Sequence, residues 1–259
     1  MSSANEYGEA LKGVGPIPPK QGIYEMSETA KAELSTRLAF SDGRVFRYAK
    51  AGATALAPGK LSKVGALAAQ INKAVEAAVA AGGKVVSLTT SSAITTAAEG
   101  YLVINDAAGE GILYKIKKTA ANATTSTSTD VTLYDPIATA LTTSSEGSVL
   151  YNPYEQVEII SAATDLIVGV SPITVTAEYY FWLQTWGPCA LWSEGTPAVG
   201  LQVFPGLNSG VAGTSDIVPT VGGWGSAGAA CSFPCPSIGV QWQVGVNTEY
   251  KLVYLMITP

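Results

Sequence analysis

The sequence predicts a mainly β protein: an extended N-terminal arm followed by two small β-barrel or β-sandwich modules, with one short helix. Three observations carry this expectation. Short apolar runs rich in Val, Ile, Tyr and Thr recur along the chain, bounded by Gly, Pro, Asn and Asp, which is the pattern of hairpin-forming strands. The 27 glycines and 14 prolines in 259 residues interrupt any longer regular element. A clear helical spacing of apolar residues occurs in one place, residues 64–81. The expected segments are an arm with a hairpin over residues 1–55, a first β-rich module over 56–165 and a second over 166–259.

Taken in order, residues 1–35 carry Gly13-Val14-Gly15-Pro16-Ile17-Pro18-Pro19 and few large apolar side chains, so they read as extended chain. Residues 27–38 could form a further short turn of helix, with Ser27 as a possible cap and Ala30, Leu34 and Leu38 on one face, but only against a partner. Residues 38–48 read as a hairpin, because Asp42-Gly43 supplies the positive φ that a tight turn demands. Over 64–81, Val64, Leu67, Ala68, Ile71, Val75, Ala78 and Val79 fall on one helical face and Gly82-Gly83 stops the pattern. Strands follow at 84–89, 101–105, 111–117, 131–134, around 148–151 and at 156–160. The Thr/Ser run 119–129 reads as a loop. A second β region opens near Leu166 and holds the aromatic stretch 175–186. Residues 206–239 form a long Gly/Ser/Pro/Ala loop, and strands at 241–246 and 250–257 close the chain.

Composition excludes much chemistry. The chain has no histidine, so it holds no Ser-His-Asp triad, no His-ligated zinc and no imidazole base. Charged residues make up only 14%, well under the roughly 25% of an average soluble protein, so part of the surface is expected to be covered by other subunits or partners. Residues 1–118 hold 14 basic against 10 acidic residues and 119–259 hold one, Lys251, against 10, so the halves carry +4 and −9. This division suggests a basic arm docking on an acidic partner, or simple drift in a low-charge chain. The basic residues are interspersed with acids, which argues against nucleic acid, and no apolar run approaches the length of a membrane helix. The start of the chain lacks the charged and apolar regions of an export signal. Cys189, Cys231 and Cys235 are an odd number in no metal-site spacing, and read as small buried hydrophobes or, alternatively, as a disulfide or Cys-only site.

Motifs add no chemistry. Gly223-Trp224-Gly225-Ser226-Ala227-Gly228 has the G-x-G-x-x-G spacing, but neither a strand before it nor a helix after it. No nucleophile elbow, Walker lysine or HExxH is present, so no catalytic, cofactor or metal residue is assigned, and the chain is not expected to be an enzyme. The dense aromatics Tyr179, Tyr180, Phe181, Trp182 and Trp186 suit a core or an oligomer interface. A carbohydrate platform of Trp182, Trp186, Trp192, Trp224 and Trp242 is the alternative.

Longer phrases carry a resemblance. Asp42-Gly43-Arg44-Val45-Phe46-Arg47-Tyr48-Ala49-Lys50-Ala51-Gly52, with Leu56-Ala57-Pro58-Gly59-Lys60-Leu61, resembles structural proteins of tailed bacteriophages. So do Glu99-Gly100-Tyr101-Leu102-Val103-Ile104-Asn105-Asp106, Leu133-Tyr134-Asp135-Pro136, Tyr180-Phe181-Trp182-Leu183-Gln184-Thr185-Trp186-Gly187-Pro188 and Val246-Asn247-Thr248-Glu249-Tyr250. The likeness runs from about residue 37 to the end. It implies a capsid decoration, or cement, protein on the outer surface of the virion head, with the major capsid protein and further copies of itself, as a trimer or a dimer, as partners. On that reading Phe46 and Tyr48 anchor to the shell, Arg44, Arg47 and Lys50 make charge contacts with it, and Tyr180, Trp182 and Trp186 line the self-association surface unless they fill the core. A phage tail or neck component is the alternative within structural proteins.

Overall fold

The computed structural model describes residues 20–123, 127–162, 165–193, 195–206, 214–217 and 237–259. Among these the chain is strand and turn, with no helix. The strands are β1 (Met26–Ser27), β2 (Arg37–Ala39), β3 (Val45–Lys50), β4 (Leu61–Val64), β5 (Ala68–Ala74), β6 (Val85–Leu88), β7 (Tyr101–Asp106), β8 (Leu113–Ala121) and β9 (Thr129–Leu133). They continue with β10 (Glu146–Leu150), β11 (Val157–Ile159), β12 (Ile167–Val170), β13 (Tyr180–Ser193), β14 (Gln202–Gly206), β15 (Thr214–Ile217), β16 (Gly239–Gln241) and β17 (Glu249–Met256). The mainly β expectation holds.

Two compact units divide the chain, and they are not consecutive. One is residues 66–153; the other joins the chain before Ala66 to the chain after Pro153. The boundaries therefore differ from the expected 1–55, 56–165 and 166–259. From Gln21 onward the N-terminal segment is not a free arm either. Ile23 and Leu38 are buried with Phe46, Tyr48 and Trp182, and β1 to β3 belong to the sheet of the divided unit. The first 19 residues lie outside the described ones.

The inserted unit is one antiparallel sheet in the order β5-β10-β7-β8-β9-β6. Its strands alternate, burying Leu102 and Ile104, Tyr114 and Ile116, Val131 and Leu133 in one core with Val86, Leu88 and Val149. The sheet curls until its two ends meet at the bridge between Val75 and Leu88. There Glu76 N donates to Ser87 O at 2.8 Å and Thr89 N to Ala74 O at 2.9 Å. This closure accounts for the helix that is absent at 64–81. An isolated helix of that length is marginal in water. Pairing residues 68–74 with β10 satisfies the same backbone groups and closes the curl. Of the seven residues on the expected apolar face, Val75 alone is fully buried, while Ile71 is 50% exposed. No helix forms over 27–38 either; β2 occupies the end of that span.

In the divided unit, β13 is the common member. Its residues 180–186 pair with β3 and residues 186–193 with β17, Trp186 belongs to both ladders, and the β3 ladder carries a register shift between Gln184 and Trp186. Phe181 and Leu183 face a core with Ala49, Ala51, Leu56 and Val157. Trp182 faces the opposite side with Phe46 and Tyr48. Beyond the shift, Cys189 and Leu191 enter a third core with Val253, Leu255, Val203 and Ile238. The hairpin is as expected, with Gly43 at φ 88° in its turn. The closing strand is as expected too, whereas β16 ends at Gln241 and residues 242–246 are not strand.

Gly187 marks the crossing point. It has φ 84° and a Cβ placed there would lie 2.5 Å from Gly43 O and 2.9 Å from Arg44 Cα. Both obstacles are backbone, so neither can rotate away. Gly43 has a similar φ of 88° but open space around its Cβ position. Gly187→Ala is expected to destabilise by about 2–4 kcal/mol, from positive-φ strain plus overpacking, and Gly43→Ala by about 1 kcal/mol. Urea unfolding of the two variants checks the difference, and equal losses would contradict the crossing-point account.

Candidate functional site

The structure separates the expected contact residues into two groups. Phe46 and Tyr48 are 1% and 0% exposed. Tyr48 packs edge-on against Trp182 with ring centroids 5.0 Å apart. Its hydroxyl donates to Gln21 Oε1 at 2.7 Å and accepts from Lys31 N at 2.9 Å. Burial pushes the phenol upward, against the hydrogen bond it accepts from Lys31 N. Trp182 is also buried and donates from Nε1 to Gln21 O at 2.9 Å. All three rings are thus engaged in the chain's own core. Tyr180 and Trp186 are half-buried.

The three cations are half-buried and each has an internal partner. Arg44 Nε donates to Asp42 Oδ2 at 2.7 Å, and its guanidinium lies 5.2 Å from the Phe40 ring centroid. Arg47 donates to the carbonyls of Ser35 at 3.3 Å and Pro259 at 3.0 Å. Lys50 pairs with Glu178. Desolvation opposes the charge on Arg44 and Lys50, yet their carboxylate partners hold both pKa values above the ordinary range. An external anion would have to compete with these contacts.

A more open surface lies elsewhere on the same sheet. Along β13 and β17 the two faces alternate strictly. Gly187, Cys189, Leu191 and Ser193 lie on the inward face opposite Leu255, Val253 and Lys251. Trp186, Pro188, Ala190 and Trp192 point outward, registered against Met256, Tyr254, Leu252 and Tyr250. Val240 on β16 extends the row beside Tyr254. Trp242 follows, with its ring 4.8 Å from that of Tyr254. None of these outward residues is buried, and Trp242 and Tyr250 are each 47% exposed. The rings brace one another: Trp192 meets Tyr250 edge-on at 5.0 Å, and Trp186 Nε1 donates to Tyr254 Oη at 3.1 Å. Tyr250 Oη donates to Pro58 O at 3.1 Å, and Lys60 sits at the rim, 4.5 Å over the Trp192 ring.

This face holds no charged side chain within it. Lys251, the sole cation after Lys118, points inward and is 1% exposed; its amine donates to the carbonyls of Ser193 and Gly195, both at 3.0 Å. Glu249 turns back to accept from Val246 N at 2.7 Å. What the arrangement can do is remove a rigid aromatic surface from water against a flat apolar partner. Of its members, the self-association expectation included Trp186. It missed Tyr250, Leu252, Tyr254 and Met256. The signal was present in the sequence, because residues 250–256 are apolar at nearly every position, so both strand faces need cover.

No cluster of three potential metal ligands occurs among the described residues. Cys189 is buried, and desolvation pushes its thiol up to about 12. Cys231, Cys235, Trp224 and the Gly223–Gly228 motif lie outside the described residues, as does most of the expected loop 206–239. Comparison with protein-family models, curated proteins and solved structures finds no match.

Two outcomes are expected. Phe46→Ala and Tyr48→Ala each lower stability by about 3–5 kcal/mol, the range for a buried aromatic. Lys50→Ala costs under about 1 kcal/mol, as a partly exposed ion pair does. Chemical denaturation of the three variants distinguishes core from surface roles. Cys189 resists iodoacetamide at pH 8 in the folded protein and reacts once the protein is unfolded, because the thiolate is the nucleophile; peptide mapping reads this.

Proposed function

We propose that this chain is a non-enzymatic structural protein of a tailed-phage virion, binding the outer surface of the head and reinforcing the shell by bridging capsid subunits. The observation that carries an assembly role is the uncharged aromatic face of β13, β17 and β16, whose Trp, Tyr, Met and Leu composition is that of the core of a protein interface. The phage context rests on the sequence phrases described above. The two longest of them, residues 42–52 and 180–188, face each other in the β3–β13 ladder, with Lys50 opposite Tyr180 and Val45 opposite Trp186.

In this reading, reinforcement comes from repetition. Many weak contacts, multiplied by the symmetry of a shell, raise the barrier to losing any one subunit without a covalent step. Arg44, Arg47 and Lys50 remain candidates for charge contacts with the shell, acting by exchanging their internal partners for external ones. Phe46 and Tyr48 contribute by holding the hairpin rigid.

Quantitative mass spectrometry of purified virions tests the reading. A copy number equal to that of the major capsid protein, or a simple fraction of it, is expected. A few copies per particle would place the chain in the tail or neck, and absence from virions would overturn the reading.

A further inference from the structure

We infer that residues 21–36 form a releasable strap, pivoting at Ser35, which covers the rings of Tyr48 and Trp182 and opens as a unit while the sheet beneath it stays folded. This device goes beyond the assembly role proposed above and does not rest on it. Three features carry it.

The first is how little apolar surface holds the strap down. Between Gln21 and Thr36 only Gln21, Gly22 and Ile23 are buried, and Ile23 supplies the one fully buried apolar side chain among them. Tyr24 and Met26 point away from the body, 62% and 42% exposed. The ladder of the strap to β13 is two residues long, Met26 opposite Phe181 and Ser27 opposite Tyr180. A segment with so little apolar burial opens at a lower free energy than the core on which it lies.

The second is the concentration of its hydrogen bonds in one residue. Gln21 Nε2 donates to Tyr180 O at 3.0 Å and to Glu25 O at 2.9 Å. Its Oε1 accepts from Tyr48 Oη at 2.7 Å and from Ser27 Oγ at 2.8 Å, and its carbonyl accepts from Trp182 Nε1 at 2.9 Å. Lys31 N ends on the same Tyr48 hydroxyl at 2.9 Å. Release of Gln21 therefore frees the polar ends of both rings together, and water can replace each of these bonds at small net cost. Tyr48 and Trp182 themselves face each other in the β3–β13 ladder, whose pairing needs nothing from the strap.

The third is stored strain. Ser35 has φ 68°, a left-handed conformation that a residue with a Cβ seldom adopts. It stands where the strap meets the sheet: Ser35 N donates to Tyr48 O at 2.9 Å, and β2 begins at Arg37. Closure imposes that conformation and opening relieves it. The aromatic cluster thus has two states, one in which Tyr48 and Trp182 are dry beneath the strap and one in which both rings and their polar ends are accessible.

Hydrogen exchange of the full chain, read by nuclear magnetic resonance, tests the inference. The Trp182 indole proton and the Lys31 amide, each bonded across the strap, are expected to share one protection factor, at least about 100-fold below that of the backbone amides in the β13–β17 ladder. Gln21→Ala is expected to lower the shared factor at least about ten-fold, and Ser35→Gly, which removes the positive-φ strain, to raise it about three-fold, both with the β13–β17 amides unchanged. Protection of the indole and the Lys31 amide equal to that of the ladder, or loss of protection throughout the molecule in Gln21→Ala, would overturn the inference. So would a Ser35→Gly protein whose strap opens as readily as that of the wild type.

Discussion

The backbone of β13 is the constraint on which the divided unit depends. A 14-residue strand carries donors and acceptors on both edges, and each must be paired or hydrated. No single neighbour accompanies it over its full length. Its first half takes β3, β1 and β12, and its second half takes β17 and, at Ser193, β15. The change of partner occurs at the irregularity between Gln184 and Trp186. There Gln184 Nε2 donates to the carbonyls of Trp186 at 3.2 Å and Pro188 at 2.7 Å, satisfying acceptors where the chain has no partner N–H at Pro188. One buried glutamine and one positive-φ glycine thereby let a single strand belong to three cores.

The same strand explains why the aromatics divide as they do. Before the shift, both sides of β13 are covered. Strand alternation sends Phe181 and Leu183 into one core and Trp182 into another, beneath the segment that runs from Gln21 to Leu38. After the shift, only one side is covered, by the core of Leu191, Val253 and Leu255. The other side keeps Trp186 and Trp192 in contact with Tyr254 and Tyr250 and partly open. Aromatic density alone does not distinguish these environments. The N-terminal segment does, because it lies over one half of the strand and not the other.

That difference sets what the sequence could reveal. The hairpin at Asp42-Gly43 was legible because a two-residue positive-φ signal is local. Most strands were legible because their apolar runs end at turn residues. The apolar period over 64–81 was also real, yet it yielded to tertiary pairing, since Asn72 takes φ 48° and β5 bonds to β10 instead of closing its own turns. The units were not legible, because residues 66–153 return the chain to where it left, and nothing in composition marks Gly65 or Tyr154 as the junction. Charge misled for the same reason. The +4 and −9 halves do not coincide with the units, which hold 10 basic against 13 acidic and 5 against 7 residues, so neither unit is a basic arm. Phe46 and Tyr48 were marked as anchors for their type and neighbours, which cannot disclose that Ile23 and Gln21 would come to cover them.

Burial of Lys251 connects these points to function. Placed outward on β17, its ammonium would sit among Tyr250, Leu252 and Tyr254 and carry hydration that any apolar contact would have to remove. Placed inward, it donates to two carbonyls at the end of β13 and leaves the outer face uncharged. Both units are net negative, so the charge outside this face opposes close approach of like-charged surfaces within the Debye length, about 8 Å at physiological ionic strength, while the inward turn of the one late lysine keeps that charge off the aromatic rings.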